Sequence, residues 1–131
     1  MQTSGVENNV RVSYFQWDFA KHGGTIGAIT VYGDGIPANG WIIDAKVRVN
    51  TGLVGSGASM AIMAVGAGDV LAATAITSLT LNDVLQGVPD MATVAHSIVL
   101  GSAINSLTFT PSAANITAGK ITVALMWVLS A

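Results

Sequence analysis

The sequence predicts an all-β protein, an antiparallel β-sandwich of about eight strands with jelly-roll topology and little helix. Apolar and polar residues alternate with a period of two over much of the chain, which is the pattern of half-buried strands. Turn-forming residues recur roughly every 8–12 positions, as they do in sandwiches and barrels. The 131 residues fit one domain spanning 1–131, in which residues 1–9 are expected to form an extended or flexible arm.

The first two strand candidates lie in the N-terminal third. Residues 10–19 place Val10 and Val12 on one face and then change phase, which predicts a bulge or kink near Tyr14. Residues 25–32, TIGAITVY, are rich in the Thr, Ile and Val typical of strands.

The later candidates complete the sandwich. Residues 41–50 alternate most regularly, with apolar residues from Ile43 onward facing one way and Asp44, Lys46, Arg48 and Asn50 facing the other. Residues 58–66 are apolar on both faces, as in a central strand buried on both sides. Three more candidates follow: residues 94–100, residues 105–110 stopped by Pro111, and residues 119–129.

Helix is expected only in short pieces. Residues 69–79 are candidates for a turn or two with Asp69 as the N-cap, and residues 82–87 for one turn that Gly87 closes. The stretch WDFAKHGG, residues 17–24, is interpreted as the end of an aromatic strand followed by a turn.

Charged residues are scarce. They make up 9% of the chain, against roughly 25% in ordinary soluble domains. A lone monomer needs a charged surface to stay dispersed, so the deficit indicates that copies of the chain or a partner cover part of it. The net charge of −2 gives no basic footprint for nucleic acid.

Membrane insertion and cysteine chemistry are not expected. The uncharged run 49–68 is interrupted by glycines, and the apolar run 121–131 is shorter than the ~20 residues that cross a bilayer. The N-terminus has no apolar core of a signal peptide, so we expect a soluble, uncleaved chain. The chain has no cysteine, which excludes disulfides and thiolate metal sites.

No residue pattern predicts a reaction. His22, Asp18 and Ser13 offer the residue types of a catalytic triad, but their spacing does not demand one. The acidic residues and histidines form no metal motif, and the glycine pairs match no phosphate-binding loop. We therefore expect no catalytic, cofactor-binding or metal-binding residue, no cofactor and no enzyme activity.

The tryptophans have two interpretations. Trp17, Trp41 and Trp127 are candidates for a sugar-binding face or for the core. Each alternates with apolar neighbours on the side of its strand that is predicted to face inward, which favours the core. Trp17, Phe19 and Trp127 are expected to be buried in the core or at a subunit interface.

Three segments of the chain resemble a pattern found in tailed-bacteriophage virion proteins. Together they extend the resemblance over residues 12–129. They are YFQWDFAKHGGTIGAITVYGDGIPANGWIIDAKVRVNTGL, MAIMAVGAGDVLAATAI and NITAGKITVALMWVL. The chain looks like the capsid decoration (cement) proteins and head-fibre-base modules of these phages, which are small jelly-roll or β-sandwich proteins. The resemblance brings no active-site residue with it.

The resemblance implies a structural virion protein on the capsid exterior, made in the host cytoplasm. Its partners would be itself, as a homotrimer or secondly a homodimer, and the major capsid protein, with neither nucleic acid nor membrane. The alternative is a head-fibre or receptor-binding module that recognises a host surface glycan through loop tips at Gly33–Gly40 and Ser112–Gly119. A non-viral sugar-binding or scaffold sandwich is a further alternative.

Overall fold

The computed structural model describes residues 10–93 and 96–129, and it confirms the predicted all-β fold. The described chain contains one four-residue α-helix, α1 (Phe19–His22), and one 3-10 turn, Ile76–Ser78. Nine strands follow in chain order: β1 (Arg11–Asp18), β2 (Ile29–Ile36), β3 (Gly40–Val54), β4 (Ser59–Met63), β5 (Leu71–Ala75), β6 (Val84–Gln86), β7 (Ile98–Val99), β8 (Ile104–Ser112) and β9 (Ala118–Leu129).

The strands form one antiparallel path that folds over on itself. Its order is β5-β4-β8-β2-β1-β9-β3-β6, with β7 also paired to β3. The path divides into a β1 sheet (β1, β9, β3, β6 and β7) and a β8 sheet (β2, β8, β4 and β5). A single residue pair, Phe15 with Gly33, joins β1 to β2. The pair is therefore the corner at which the two layers of the sandwich meet.

Gly33 fits this corner because it has no side chain. A Cβ atom at Gly33 would lie 2.6 Å from Cδ2 of Phe15 and would also collide with the carbonyl oxygen of Tyr14. The next residue, Asp34, turns its carboxylate toward β1, where Oδ2 accepts the N–H of Tyr14 at 3.0 Å. A side chain thus replaces the strand partner that β1 loses as β2 turns away.

The core lies between the two sheets. Alternate residues of β1 and β9 point into it, and the largest fully buried side chains are Trp17, Phe15 and Phe109. Burial of apolar surface contributes about 25 cal/mol per Å², so these aromatic rings dominate the energetics. Trp17 also donates its indole N–H to the carbonyl of Gly23 at 3.0 Å. The predicted burial of Trp17 and Trp127 is confirmed, whereas Phe19 is half-buried in α1.

The predicted bulge near Tyr14 is wrong. β1 pairs with β9 without interruption from Arg11 opposite Trp127 to Asp18 opposite Lys120. The change of apolar phase is real, but its cause is different: Val12 points outward and is 43% exposed, while Phe15 and Trp17 point into the core. In this sheet the described irregularities lie in the pairing of β3 with β9, and the first of them falls between Ile42 and Asp44.

Of the helical turns predicted for residues 69–79 and 82–87, only the 3-10 turn Ile76–Ser78 is present, and the strands β5 and β6 occupy Leu71–Ala75 and Val84–Gln86. Asp69 does not cap a helix. Its carboxylate accepts the N–H groups of Ala64, Val65 and Gly66 and so closes the turn before β5. The missed helix is α1, where Asp18 caps the N-terminus by accepting from Ala20, and Gly23 ends it with φ 78.

Pro111 does not stop β8, which continues to Ser112. The carbonyl of Pro111 accepts from the N–H of Gly27 at 3.2 Å, so this edge faces the loop before β2. In an antiparallel strand the N–H and C=O of one residue point to the same neighbouring strand. The nitrogen of Pro111 therefore faces the loop before β2, where the paired register of β2 and β8 has already ended, and no ladder hydrogen bond is lost.

Two further expectations fall partly outside the described residues. The strand predicted at 94–100 is reduced to Ile98–Val99, and residues 94 and 95 lie outside the description, as does the proposed arm at 1–9. Within the described ranges, no helix has the length and hydropathy needed to cross a membrane.

Candidate assembly surface

The residues of the hypothetical triad do not come together. Ser13 is buried, and its hydroxyl contacts the carbonyl of Gly35 and the indole of Trp127. His22 ends α1, where its Nδ1 lies 3.1 Å and 3.2 Å from the backbone N and O of Asp18. The histidine therefore serves the local turn, and the serine serves the core.

His96 has a partner that the sequence did not suggest. Its Nδ1 lies 2.7 Å from Oδ1 of Asp90, and both residues lie between β6 and β7. The hydrogen bond from the N–H of Ala92 and, as a smaller effect, the hydrogen bond with His96 hold the pKa of the Asp90 carboxyl below its usual value. Within the described part of the chain, no three His, Asp or Glu side chains gather as a metal site would require.

One half of the outer face of the β1 sheet is apolar. On one side this area is bordered by Val12 and Tyr14 of β1, and on the other side by Val99 of β7; all three are exposed. Trp41 of β3 lies between these two borders. Strand register places its members side by side, since Val12 lies opposite Met126 and Trp41 lies opposite both Val128 and Val99. We call this surface the outer patch: Val10, Val12, Tyr14, Trp41, Val99, Met126 and Val128.

The expectation that all three tryptophans are buried in the core is wrong for Trp41. Trp41 is 36% exposed because Ile42, and not Trp41, occupies the inward phase at the start of β3. The bulge after Ile42 then restores the inward phase at Ala45. The sequence signal was present, since Trp41 and Ile42 are adjacent apolar residues that cannot both face inward.

The other half of this face is polar. Lys46 lies 3.3 Å from Oδ2 of Asp44, and Nε2 of Gln86 donates to Oδ1 of Asp44 at 2.6 Å. Burial raises the pKa of the Asp44 carboxyl, but the hydrogen bonds from Gln86, Lys46 and the N–H of Ala45 outweigh burial and hold the pKa below its usual value. This cluster borders the outer patch, and Asp44 and Lys46 are paired with each other within it.

The outer face of the β8 sheet differs in chemistry. β4, β5 and β8 carry no charged residue, and the only charge on β2 is Asp34, which is turned toward β1. Strand register aligns Thr30 with Thr108 and Ala61 with Thr110 on this face. We call it the hydroxyl face: Thr30, Tyr32, Ser59, Ala61, Met63, Ser106, Thr108, Thr110 and Ser112.

A shallow cavity of about 420 Å³ lies at one end of the hydroxyl face. Its lining comes from residues 35–37 and 103–105, at the irregular pairing between Tyr32 and Ile36. Tyr32 precedes the cavity and is 70% exposed. One of the two segments predicted as loop tips for glycan recognition, Gly33–Gly40, spans the end of β2 and the turn to β3, and it borders this concave surface.

The fold is similar to that of chains in phage capsid structures. No family model matches the chain, and no curated protein matches it. A chain of the cyanophage Pam1 capsid asymmetric unit is 15% identical, with a TM-score of 0.70 over 99% of this chain and 91% of that chain. A chain of the Ralstonia phage GP4 capsid is 13% identical, with a TM-score of 0.56 over 94% and 86%.

A third similar chain belongs to the acid-stable capsid of Helicobacter pylori bacteriophage KHP30. It is 11% identical, with a TM-score of 0.50 over 95% of this chain and 91% of that chain. At these identities the likeness establishes the fold. The chain is thus an all-β protein with the fold of chains found in phage capsid structures.

Proposed function

We propose that this chain is a structural virion protein of a tailed bacteriophage, a capsid decoration (cement) protein that binds the outer surface of the assembled head and stabilises it. One observation carries the proposal. The match to the cyanophage capsid chain covers 99% of this chain and 91% of that one, so that capsid chain is itself a small protein of similar length. A small accessory component suits decoration better than formation of the shell.

The surface chemistry supports a role in assembly. The hydroxyl face can be buried without removing any charge from water, which is the costly part of burying polar surface. Its hydroxyl groups both donate and accept hydrogen bonds, so they can pair with either kind of partner group. We assign the contact with the shell to this face, and we assign no enzymatic step to the chain.

The partners of this protein are the major capsid protein and further copies of itself, as a homotrimer or, secondly, a homodimer. An oligomer that engages several shell subunits gains from effective concentration, even where each contact is weak. Because it binds only shells whose subunits are correctly spaced, its binding stabilises that state by mass action. The small negative net charge agrees with a partner other than nucleic acid.

The test is cosedimentation of the purified chain with head particles that lack it. We expect saturable binding to the particles and a higher temperature of genome release once the protein is bound. Thr108→Lys, which places a charge at the centre of the hydroxyl face, should abolish binding. Thr77→Lys, at an exposed position outside both faces, is the matched control and should bind normally. Absence of binding by the wild-type chain contradicts the proposal.

A second candidate function is recognition of a host surface glycan. The observation that favours it is the cavity at Gly35–Pro37 beside Tyr32, an exposed ring of the kind on which sugars stack. A glycan array probed with the wild-type chain tests this function, with Tyr32→Ala as the variant. Binding that Tyr32→Ala removes would support recognition, while equal binding by both proteins would reject this site.

A further inference from the structure

We propose that the cavity at the end of the hydroxyl face binds an acetamido group, the N-acetyl substituent of an amino sugar. The proposal rests on the second candidate function, recognition of a glycan, and adds the chemical class of the sugar and the atoms that would recognise it. Two features of the molecule support it: the interruption of the pairing between β2 and β8 beside the cavity, and the chemistry of the cavity wall.

The cavity lies where β8 loses the strand opposite it. β2 and β8 pair residue by residue as far as Tyr32 opposite Ser106, so the next pair would set Gly33 against Asn105. Gly33 instead lies opposite Phe15 of β1, and pairing with β8 resumes only at the last residue of β2. In the described register of β2 and β8, no residue therefore lies opposite Asn105, which lines the cavity.

The backbone of Asn105 faces this gap. The carbonyl of Pro111 accepts the N–H of Gly27, just before β2, and in an antiparallel strand every second residue directs its N–H and C=O to the same neighbour. Asn105 precedes Pro111 by an even number of residues and shares its direction. The backbone and the side-chain amide of Asn105 therefore both lie beside the cavity.

Both walls of the cavity are held in place by contacts within the chain. The buried Ser13 donates its hydroxyl to the carbonyl of Gly35 at 3.2 Å and anchors one wall to the core. Ile36 lies opposite Ile104 and joins this wall to the other. A preformed cavity requires little ordering when a ligand binds, so a small group can be recognised by few contacts.

The lining fits a neutral group that is part apolar and part amide. Four of the six lining residues are Ile36, Pro37, Ala103 and Ile104, one is a glycine, and Asn105 is the one polar side chain. None of the six is charged, so an ionic ligand would lose hydration without gaining a counter-charge. An amide side chain both donates and accepts. Asn105 can therefore pair with the C=O and N–H of an acetamido group while the methyl group contacts the apolar wall.

The remainder of the sugar would lie against Tyr32. This residue is opposite Ser106, the neighbour of Asn105 in β8, and its side chain is exposed. An aromatic ring offers a flat apolar surface with a polar tip, which suits one face of a pyranose ring. The cavity volume of about 420 Å³ lies within the roughly 300–1,000 Å³ of small-molecule sites. One N-acetylated sugar residue would thus occupy two adjacent sites.

The first test is saturation-transfer NMR of the purified chain with N-acetylglucosamine and with glucose, which lacks the acetamido group. We expect N-acetylglucosamine to bind, with the largest transfer at its methyl group, and glucose to bind at least about tenfold more weakly. Equal binding of the two sugars would overturn acetamido recognition. Equally tight binding of N-acetyl-lysine would assign the group to a peptide and overturn the sugar class.

The second test locates the ligand with variants. Asn105→Leu removes the amide and Ala103→Phe fills the cavity, and each should weaken binding of N-acetylglucosamine at least about tenfold. Both positions are exposed, and circular dichroism verifies that the variants are folded. Ala73→Phe, at an exposed position of β5, is the matched control and should bind normally. Normal binding by both cavity variants would overturn the site.

The outcomes separate this inference from the proposed functions. A glycan-array signal that Tyr32→Ala removes, without preference for N-acetylated sugars, would support glycan recognition and overturn the inference alone. Absence of binding to the array and to N-acetylglucosamine would overturn both. Binding of N-acetylglucosamine by a chain that never cosediments with heads would support the inference and reject decoration.

Discussion

The indole Nε1 of Trp127 donates a hydrogen bond to Oγ of Ser13 over 2.9 Å, joining residues 114 positions apart in the sequence. Ser13 is 2% exposed and is the one polar residue that is buried among the described residues. Its hydroxyl in turn donates to the carbonyl of Gly35 at 3.2 Å. This short relay connects β9, β1 and β2, and so it ties the two sheets together inside the core.

Replacement of Ser13 by alanine should destabilise the protein by about 1–3 kcal/mol, because the buried indole N–H of Trp127 loses its acceptor. Urea denaturation followed by tryptophan fluorescence measures the loss. Ser102→Ala removes an exposed hydroxyl from the loop before β8 and should change the unfolding free energy by less than about 0.5 kcal/mol. Equal stability of the two variants would show that the relay does not contribute.

Truncation of two tryptophans should have unequal effects on folding. Trp17→Ala removes a fully buried ring and should cost ~3–5 kcal/mol, a large share of the ~5–15 kcal/mol by which a domain is stable. Trp41→Ala removes a ring on the outer patch and should cost the isolated chain much less. Soluble yield and thermal unfolding of both variants measure the difference, and a larger loss for Trp41→Ala would contradict the assigned orientation of β3.

The corner between the sheets should tolerate no side chain at Gly33. Gly33→Ala would place a methyl group against Phe15 and should cost ~1–3 kcal/mol as an overpacked site. Gly35→Ala is the control, because the nearest atom to its Cβ would be 3.6 Å away, an ordinary contact. Differential scanning calorimetry should show a lower melting temperature for Gly33→Ala alone.

Acid should weaken the polar cluster on the β1 sheet. The pKa of Asp44 is lowered in the folded protein below its ordinary value of 3.8, so its contribution to stability is present above that value and is lost as the pH falls through the folded pKa. Asp44→Asn should therefore flatten the dependence of stability on pH below about 4. Urea unfolding at pH 3 and pH 6 measures this, and an unchanged slope would show that Asp44 does not contribute.

Loss of either histidine should leave head binding nearly intact. The His22 ring hydrogen-bonds to the backbone of Asp18, and His96 pairs with Asp90 at the surface. Solvent-exposed pairs of this kind contribute little to stability. Cosedimentation of His22→Ala and His96→Ala with heads measures the effect. A folded His22→Ala protein without function would indicate a chemical role for that residue.

Alternation in the sequence predicted β3, β8 and β9 because one side of each strand is apolar and the other is polar. It did not predict the outward position of Val12 or of Trp41. The alternation with a period of two shows which residues are apolar. It does not show whether an apolar residue such as valine is buried in the core or in a contact between subunits. Only the register with β9 shows which side of β1 each residue occupies.

Local propensity misled the prediction where backbone contacts decide the structure. Residues 69–79 contain several alanines and leucines, which favour helix. The turn held by Asp69 and the pairing of β5 with β4 override this preference. The hydroxyl face was missed for a different reason, because Thr and Ser alternate with apolar residues on three separate strands and meet only after folding.

The pairing of Arg11 with Trp127 has a mechanical consequence. It places the start of β1 and the end of β9 side by side at the same end of one sheet. Tension applied through these two ends would break the hydrogen bonds between the strands one pair at a time. This is the weakest direction in which to pull an antiparallel pair. Tension spread across the faces would instead shear many pairs at once. In the proposed decoration role, a head under internal pressure would therefore be held through the broad faces of this protein and not through the start of β1 and the end of β9.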